Sequence, residues 1–264
     1  MWFCTKNRSK TQGMPRFFVT KDQIDNGIVT LSGDDAHHIS RSLRMAAGEK
    51  VTVCDMQKNE YFCILEDFLP DRVLARIESQ RKSDTEPPFD ARLYQALPKG
   101  DKLDSIIQKS VECGVSSIRT FVSDRCIARE SVGDEKKLAR RARIALEAAK
   151  QSGRGIIPEI LTTQSFKDAV KSAADADIAL FCYEGDGTLP LREFLQKKHT
   201  EFSNKNIDCP SISIMIGSEG GFSLSEAEYA VSEGLTAVGL GNRILRTETA
   251  SSFVLGCIVY EFEL

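Results

Sequence analysis

Two short segments near the C-terminal end hold the residue types best suited to chemistry. The first is Gly217-Ser218-Glu219-Gly220-Gly221, between the apolar run Ile212-Ser213-Ile214-Met215-Ile216 and Phe222-Ser223. The second is Leu240-Gly241-Asn242-Arg243-Ile244-Leu245-Arg246-Thr247-Glu248. Glycines at a strand-to-helix turn let a ligand approach the main chain, whose free N–H groups favour negative charge. Arg243 and Arg246 in one short loop beside such groups suit a site where an anion develops. No Gly-Lys-Ser/Thr follows the glycines, so the first segment is not a P-loop. It also lacks the Gly-x-Gly-x-x-Gly pattern and downstream acid of a dinucleotide site. Plainer readings stand beside these: a tight turn for the glycines, and an Arg246 ion pair with Glu219 or Glu248.

The elements that must position these segments follow from periodicity. Beyond residue 88 the pattern predicts strands at 91–97, 117–123, 177–183, 211–217 and 236–241. Helices are predicted at 101–113, 134–152, 165–174, 190–198, 223–233 and 248–262. Such alternation implies βαβ units and a largely parallel sheet covered on both faces. Both segments then fall at carboxyl ends of strands, where open α/β sheets hold ligands. Ser223 and Glu226 match a capping box. Ala250, Phe253, Val254, Cys257 and Ile258 keep helical spacing and predict a face packed against the sheet or a partner subunit.

The N-terminal part reads differently. Short strands at 16–19, 27–31, 50–55, 61–65 and 72–77, separated by turn residues, predict a small β-barrel. One helix over 34–44 interrupts them, with acids in its first turn and arginines in its last. Residues 1–15 are a polar lead-in, and Ser83-Asp84-Thr85-Glu86-Pro87-Pro88 is a linker by its two prolines.

Composition sets outer limits. A chain of 264 residues accommodates two domains, and 41% hydrophobic with 28% charged residues is ordinary for a globular protein. No apolar run approaches the roughly 18 residues that cross a bilayer, and the start lacks a secretory pattern. Eight cysteines without a Cys-x-x-Cys pair predict reduced thiols in a cytoplasmic protein. Three histidines without paired spacing give no metal site. A net charge of −3 disfavours a general polyanion binder. Basic clusters at Arg41/Arg44, Lys99/Lys102/Lys109 and Lys136/Lys137/Arg140/Arg141/Arg143 nevertheless favour phosphate locally, unless they are solvated helix faces.

Taken together, Ile216 through Ser223 and Leu240 through Ala250 resemble the RsmE family. Arg16-Phe17-Phe18-Val19 is similar to its opening strand, and His38 through Gly48 to its first helix and turn. Lys99-Gly100-Asp101-Lys102 with Gln108-Lys109 and Glu112-Cys113-Gly114-Val115 resembles the start of its second domain. Glu147 through Arg154, continuing to Pro158, resembles a further family segment. The likeness covers nearly the whole chain from Arg16. Ser218 departs from it, standing where the family commonly has proline.

The resemblance implies an α/β protein with an N-terminal PUA-like β-barrel at 16–82, which binds RNA. It implies a C-terminal SPOUT-type α/β methyltransferase domain at 89–264, ending in a trefoil knot. The implied activity is transfer of a methyl group from S-adenosyl-L-methionine to N3 of a uridine in 16S ribosomal RNA, within the small ribosomal subunit. A homodimer is implied, with neither membrane nor DNA as partner. Cofactor contact falls by position on Gly217, Glu219, Gly220, Gly221, Leu240, Gly241, Ile244, Leu245 and Arg246. Arg246 is expected to stabilise the uracil anion, with Arg154 as a second cation and Glu248 as a candidate base. RNA contact is expected at Arg16, Arg41, Arg44, Lys99 and Lys102. Two alternatives remain: a non-catalytic RNA-binding protein, and a SPOUT methyltransferase acting elsewhere on RNA, such as a ribose 2′-hydroxyl. A nucleotide-dependent oxidoreductase is disfavoured by the missing dinucleotide fingerprint.

Overall fold

The first strands arise where apolar residues alternate with polar ones. The computed structural model describes residues 14–130 and 134–264; the predicted lead-in lies outside the described residues as far as position 13. Six strands form one sheet: β1 (Arg16–Phe18), β2 (Ile24–Asp25), β3 (Ile28–Ser32), β4 (Lys50–Cys54), β5 (Asn59–Phe68) and β6 (Arg72–Lys82). Their order is β1-β4-β5-β6-β3-β2, with β1 parallel to β4 and the other neighbours antiparallel. Phe17, Val29, Leu31, Ile39, Val51, Val53, Leu65 and Val73 make its buried core. Among the described residues no pairing joins β1 to β2, so the predicted barrel is an open ladder at the level of backbone hydrogen bonds.

Two details of this part differ from the sequence pattern. β5 and β6 run far beyond the expected segments, because charged residues that interrupt apolar alternation pair across the strands. Arg76 meets Glu66 at 2.5 Å and Arg81 meets Glu60 at 2.8 Å. The single helix predicted over 34–44 is instead α1 (Gly33–His37) followed by a wider turn at His38–Ser42. Arg44 lies beyond it, in the left-handed region with φ 53°. Residues up to Glu86, together with Gly153–Ile156, form one compact unit. Ser83 through Glu86, read above as linker, are bonded into it: Thr85 Oγ1 donates to Gly153 O at 2.9 Å.

The second unit holds Pro87–Ser152 and Ile157–Leu264. Along the chain come β7 (Asp90–Ala96), α2 (Lys102–Glu112), β8 (Ser117–Val122), α3 (Glu135–Ser152), β9 (Glu159–Ser165) and α4 (Phe166–Ala174). They are followed by β10 (Ile178–Cys182), β11 (Leu189–Pro190), α5 (Leu191–Lys205), β12 (Ser211–Ile216), α6 (Leu224–Ser232), β13 (Thr236–Gly239) and α7 (Thr247–Phe262). The sheet order is β11-β13-β10-β12-β7-β8-β9, and every pair is parallel. Ile212 through Ile216 are all buried, as expected of a strand covered on both faces.

β9 and β11 have no counterpart in the sequence reading. Both are edge strands: β9 (Glu159–Ser165) is largely polar, and β11 (Leu189–Pro190) is too short to carry a periodic signal. On α7 the buried positions are Thr247, Ala250, Ser251, Val254, Leu255 and Ile258, whereas Phe253 is 41% exposed; Ala250, Val254 and Ile258 of the predicted face are buried, and the face extends towards Ser251 and Leu255 and away from Phe253. Among the described residues no helix is long and apolar enough to cross a membrane.

The strand order reverses between β7 and β12. From β7 the chain steps outward through β8 to β9, then returns to β10 on the other side. Crevices at such reversals are where open parallel sheets take ligands.

Candidate active site

The glycine segment leaves the carboxyl end of β12 and is held from both ends. At its far end Phe222 is buried among Phe121, Phe166 and Phe181, the Phe181 ring centroid lying 4.3 Å away. The α6 capping box forms as expected: Ser223 Oγ accepts from Glu226 N at 3.2 Å, and Ser223 N donates to Glu226 Oε2 at 2.9 Å. Between these anchors the main chain is nearly bare. A Cβ at Gly217 would lie 3.2 Å from both Gly221 Cα and the Phe222 ring, so a side chain there would require its neighbours to shift by a few tenths of an ångström.

The arginine segment leaves β13 and meets the glycine segment. Thr247 Oγ1 donates to Gly217 O at 2.7 Å. Buried Gln95, on β7, donates through Nε2 to Thr247 Oγ1 at 2.9 Å and to Gly217 O at 3.4 Å. The two turns are therefore joined at one point over the centre of the sheet.

Between them opens a cavity of about 910 Å³. Gly217, Glu219, Gly220 and Gly221 line it on one side, and Leu240, Gly241, Ile244, Leu245 and Arg246 on the other. Arg243 and Arg246 are exposed in this wall and carry no carboxylate partner among the described residues. The plainer reading of Arg246, as an ion pair with Glu219 or Glu248, is not what the structure shows. Glu219 is engaged elsewhere: it accepts from Lys102 Nζ at 2.7 Å and from Lys99 N at 3.1 Å. Burial opposes ionisation of its carboxyl, but the bonds from Lys102 and the main chain outweigh that and hold it below the usual carboxylate range.

Some predicted site residues lie away from the cavity wall. Arg154 is buried in the first unit, where its Nη2 meets Glu86 Oε2 at 2.6 Å while Gly155 N and Ile156 N also donate to Glu86. A guanidinium 4% exposed and neutralised in this way holds a loop in place, and Arg154 is not among the residues that line the cavity. Arg16 is likewise only 12% exposed and binds Glu60 at 2.7 Å, so it offers little surface to RNA. Lys102, expected on an RNA surface, lies in the cavity wall against Glu219. Glu248 is outside the wall, with Oε2 buried and 3.9 Å from Lys102 Nζ. Arg41, Arg44 and Lys99 are exposed.

The cavity also has parts that the two motifs did not announce. Cys182, Tyr183, Glu184, Gly185 and Thr188, after β10, form a third side, and Arg125, after β8, a fourth. Tyr-Glu-Gly-Asp-Gly at the end of a predicted strand was the available signal, by the same logic of glycine turns at carboxyl ends. Burial pushes the Cys182 thiol up to about 12. Ser218, also in the wall, has a buried hydroxyl with no partner among the described residues.

Known proteins carry this architecture. The family model for an RNA methyltransferase domain matches residues 85–259, and that for an RNA methyltransferase PUA domain matches residues 31–78. The ribosomal RNA small subunit methyltransferase E of Bacillus subtilis is 32% identical over 95% of this chain and 98% of its own. The chain belongs to the ribosomal RNA small subunit methyltransferase E family. Its relative of that name in Mesomycoplasma hyopneumoniae is 31% identical over 92% of this chain and 97% of its own. A crystal structure of the family member from Neisseria gonorrhoeae, bound to S-adenosyl methionine, superposes with a TM-score of 0.79 at 29% identity, covering 94% of this chain and 97% of that one. The N-terminal unit is thus PUA-like within an α/β methyltransferase of this family.

Proposed function

We propose that this protein methylates N3 of a uridine in 16S ribosomal RNA, using S-adenosyl-L-methionine as donor. The observation that carries the proposal is the joining of the glycine and arginine turns at Gly217 O and Thr247 Oγ1, over a cavity lined by both, in a member of this family. The wall suits such a donor, because glycines leave main-chain groups open and the Ser218 hydroxyl lacks an internal partner. Gly217, Gly220, Gly221, Leu240, Gly241, Ile244 and Leu245 would hold it, with Glu219 fixing the turn. The donor supplies a methyl group on a sulfonium, already reactive towards a nucleophile.

The remaining difficulty lies in the acceptor. Uridine N3 is a poor nucleophile while it keeps its proton, and passing that proton to solvent water places negative charge on the ring and both carbonyl oxygens. Arg246, in the wall and without a carboxylate partner among the described residues, is the group we assign to that charge. A preorganised donor of this kind lowers a barrier by about 3–4 kcal/mol. Holding acceptor and methyl in line contributes further through proximity.

The reading extends to organisation. Residues 16–82 serve as the RNA-binding PUA-like barrel, 83–88 as connection and 89–264 as the SPOUT methyltransferase domain. The last segment forms a trefoil knot. In its favour, the chain passes from β13 back across β10 and β12 to bond at Gly217 and Gln95. The protein works as a cytoplasmic homodimer. Exposed Leu224, Ile244 and Tyr260, the last two 85% and 74% accessible, favour a second copy over solvent. Arg41, Arg44 and Lys99 contact RNA backbone.

The test is transfer of labelled methyl from S-adenosyl-L-methionine to small ribosomal subunits from a strain lacking the enzyme, with the modified base identified by mass spectrometry. Label on uracil N3 is expected. Absence of label, or label on a ribose 2′-oxygen, rejects the assignment.

A further inference from the structure

The cavity wall holds a third arginine that the reading above does not use. Arg125 lies in the turn after β8, and that turn is pinned to the glycine segment and α6 at three points. Asp124 N donates to Glu226 Oε1 at 2.8 Å, Ser223 Oγ to Asp124 Oδ2 at 3.1 Å, and Arg125 Nη1 to Gly220 O at 3.1 Å. The approach is close enough to exclude any side chain at position 220. A Cβ there would lie 2.9 Å from Arg125 Cβ and 3.2 Å from its carbonyl oxygen.

The stem of Arg125 is thus fixed, yet the residue is exposed and lines the cavity. One of its five N–H donors is engaged on a neutral carbonyl, and no carboxylate partners it among the described residues. Lys102 differs in this respect, since Glu219 neutralises it. Arg125, Arg243 and Arg246 share the wall with Glu184, the one lining acid without a partner among the described residues, so the opening is net positive. Such an opening concentrates anions, and a planar guanidinium fits phosphate oxygens in pairs.

We propose that Arg125 is a substrate-binding residue, gripping a backbone phosphate of the RNA at the mouth of the cavity while its Nη1 bond braces the glycine turn. The proposal rests on the cavity being the methyl-transfer site. A phosphate is favoured over the carboxylate of the methyl donor because three wall arginines without carboxylate partners among the described residues exceed the charge that one carboxylate neutralises.

The experiment titrates the full-length protein with a fragment of 16S ribosomal RNA across a salt series, for wild type, Arg125→Gln and Arg125→Lys. Calorimetric titration of S-adenosyl-L-methionine runs alongside. Arg125→Gln is expected to weaken RNA binding several-fold and to reduce the slope of log affinity against log salt by roughly one. Arg125→Lys is expected to keep the wild-type slope, and donor affinity in Arg125→Gln to fall less than RNA affinity, since the glycine turn loses one hydrogen bond to a neutral carbonyl. An unchanged slope in Arg125→Gln overturns the proposal. Loss of donor affinity with an unchanged slope overturns it too, and moves Arg125 to the donor's carboxylate. If wild type itself fails to bind the donor, the proposed function falls, while the salt slopes still decide the role of Arg125.

Discussion

Arginines of the first unit and arginines of the cavity are the same residue put to opposite uses. Arg16 and Arg81 both close on Glu60, whose side chain is fully buried, and Arg154 closes on Glu86. Burial works against the Glu60 charge, but the Arg16 and Arg81 bonds dominate and keep its carboxyl below the usual range. These guanidiniums hold strand ends and the Gly153–Ile156 segment in place. In the cavity, Arg125, Arg243 and Arg246 have no carboxylate partner among the described residues. A cation left without its counterion in a concave wall is available to a ligand, whereas one already neutralised is not. The distinction depends on the neighbours each side chain has in space, so residue type alone does not reveal it.

The comparison can be broken most sharply from the structural side. Removing one partner of a buried ion pair costs about 3–5 kcal/mol. Arg154→Ala should therefore lower the free energy of denaturant unfolding by that amount, while donor affinity of the folded fraction stays near wild type. Wild-type stability in that variant would return Arg154 to the catalytic reading. Arg246→Ala should do the reverse. Turnover is expected to fall about 100–1,000-fold with stability and calorimetric donor affinity largely retained. Normal turnover would remove Arg246 from the reaction.

A smaller effect concerns acid. Because the Glu219 carboxyl is depressed, its contact with Lys102 contributes fully above the ordinary carboxylate range. That contribution is lost as pH falls through the depressed value. Thermal melts over the acidic range should show wild type losing stability in this window, and Glu219→Gln losing less of it. Equal pH profiles for the two proteins would show that this contact does not contribute.

How much of this was legible beforehand follows the same division. Apolar runs such as Ile212–Ile216 announce buried parallel strands, and glycines after them announce turns, so the sheet and two sides of the cavity could be read from the chain. Ser223 and Glu226 likewise marked the start of α6. Arg154 could not be judged, because its partner Glu86 is 68 positions away in sequence and nothing local signals burial. The extensions of β5 and β6 were hidden because cross-strand ion pairs replace apolar alternation. The third side of the cavity, around Tyr183, carries no arginine or helix cap to single it out. Phe253 shows that helical spacing fixes a stripe only to within one position, and tertiary packing chose the neighbouring one.

The thiol of Cys182 has one more consequence. A sulfonium methyl donor is an alkylating agent, and a thiolate is among the best acceptors a protein can offer it. With its proton loss displaced to about 12, fewer than about one molecule in 10⁴ carries the thiolate at neutral pH. A thiol held protonated at the end of β10 is a poor methyl acceptor even though it lines the cavity.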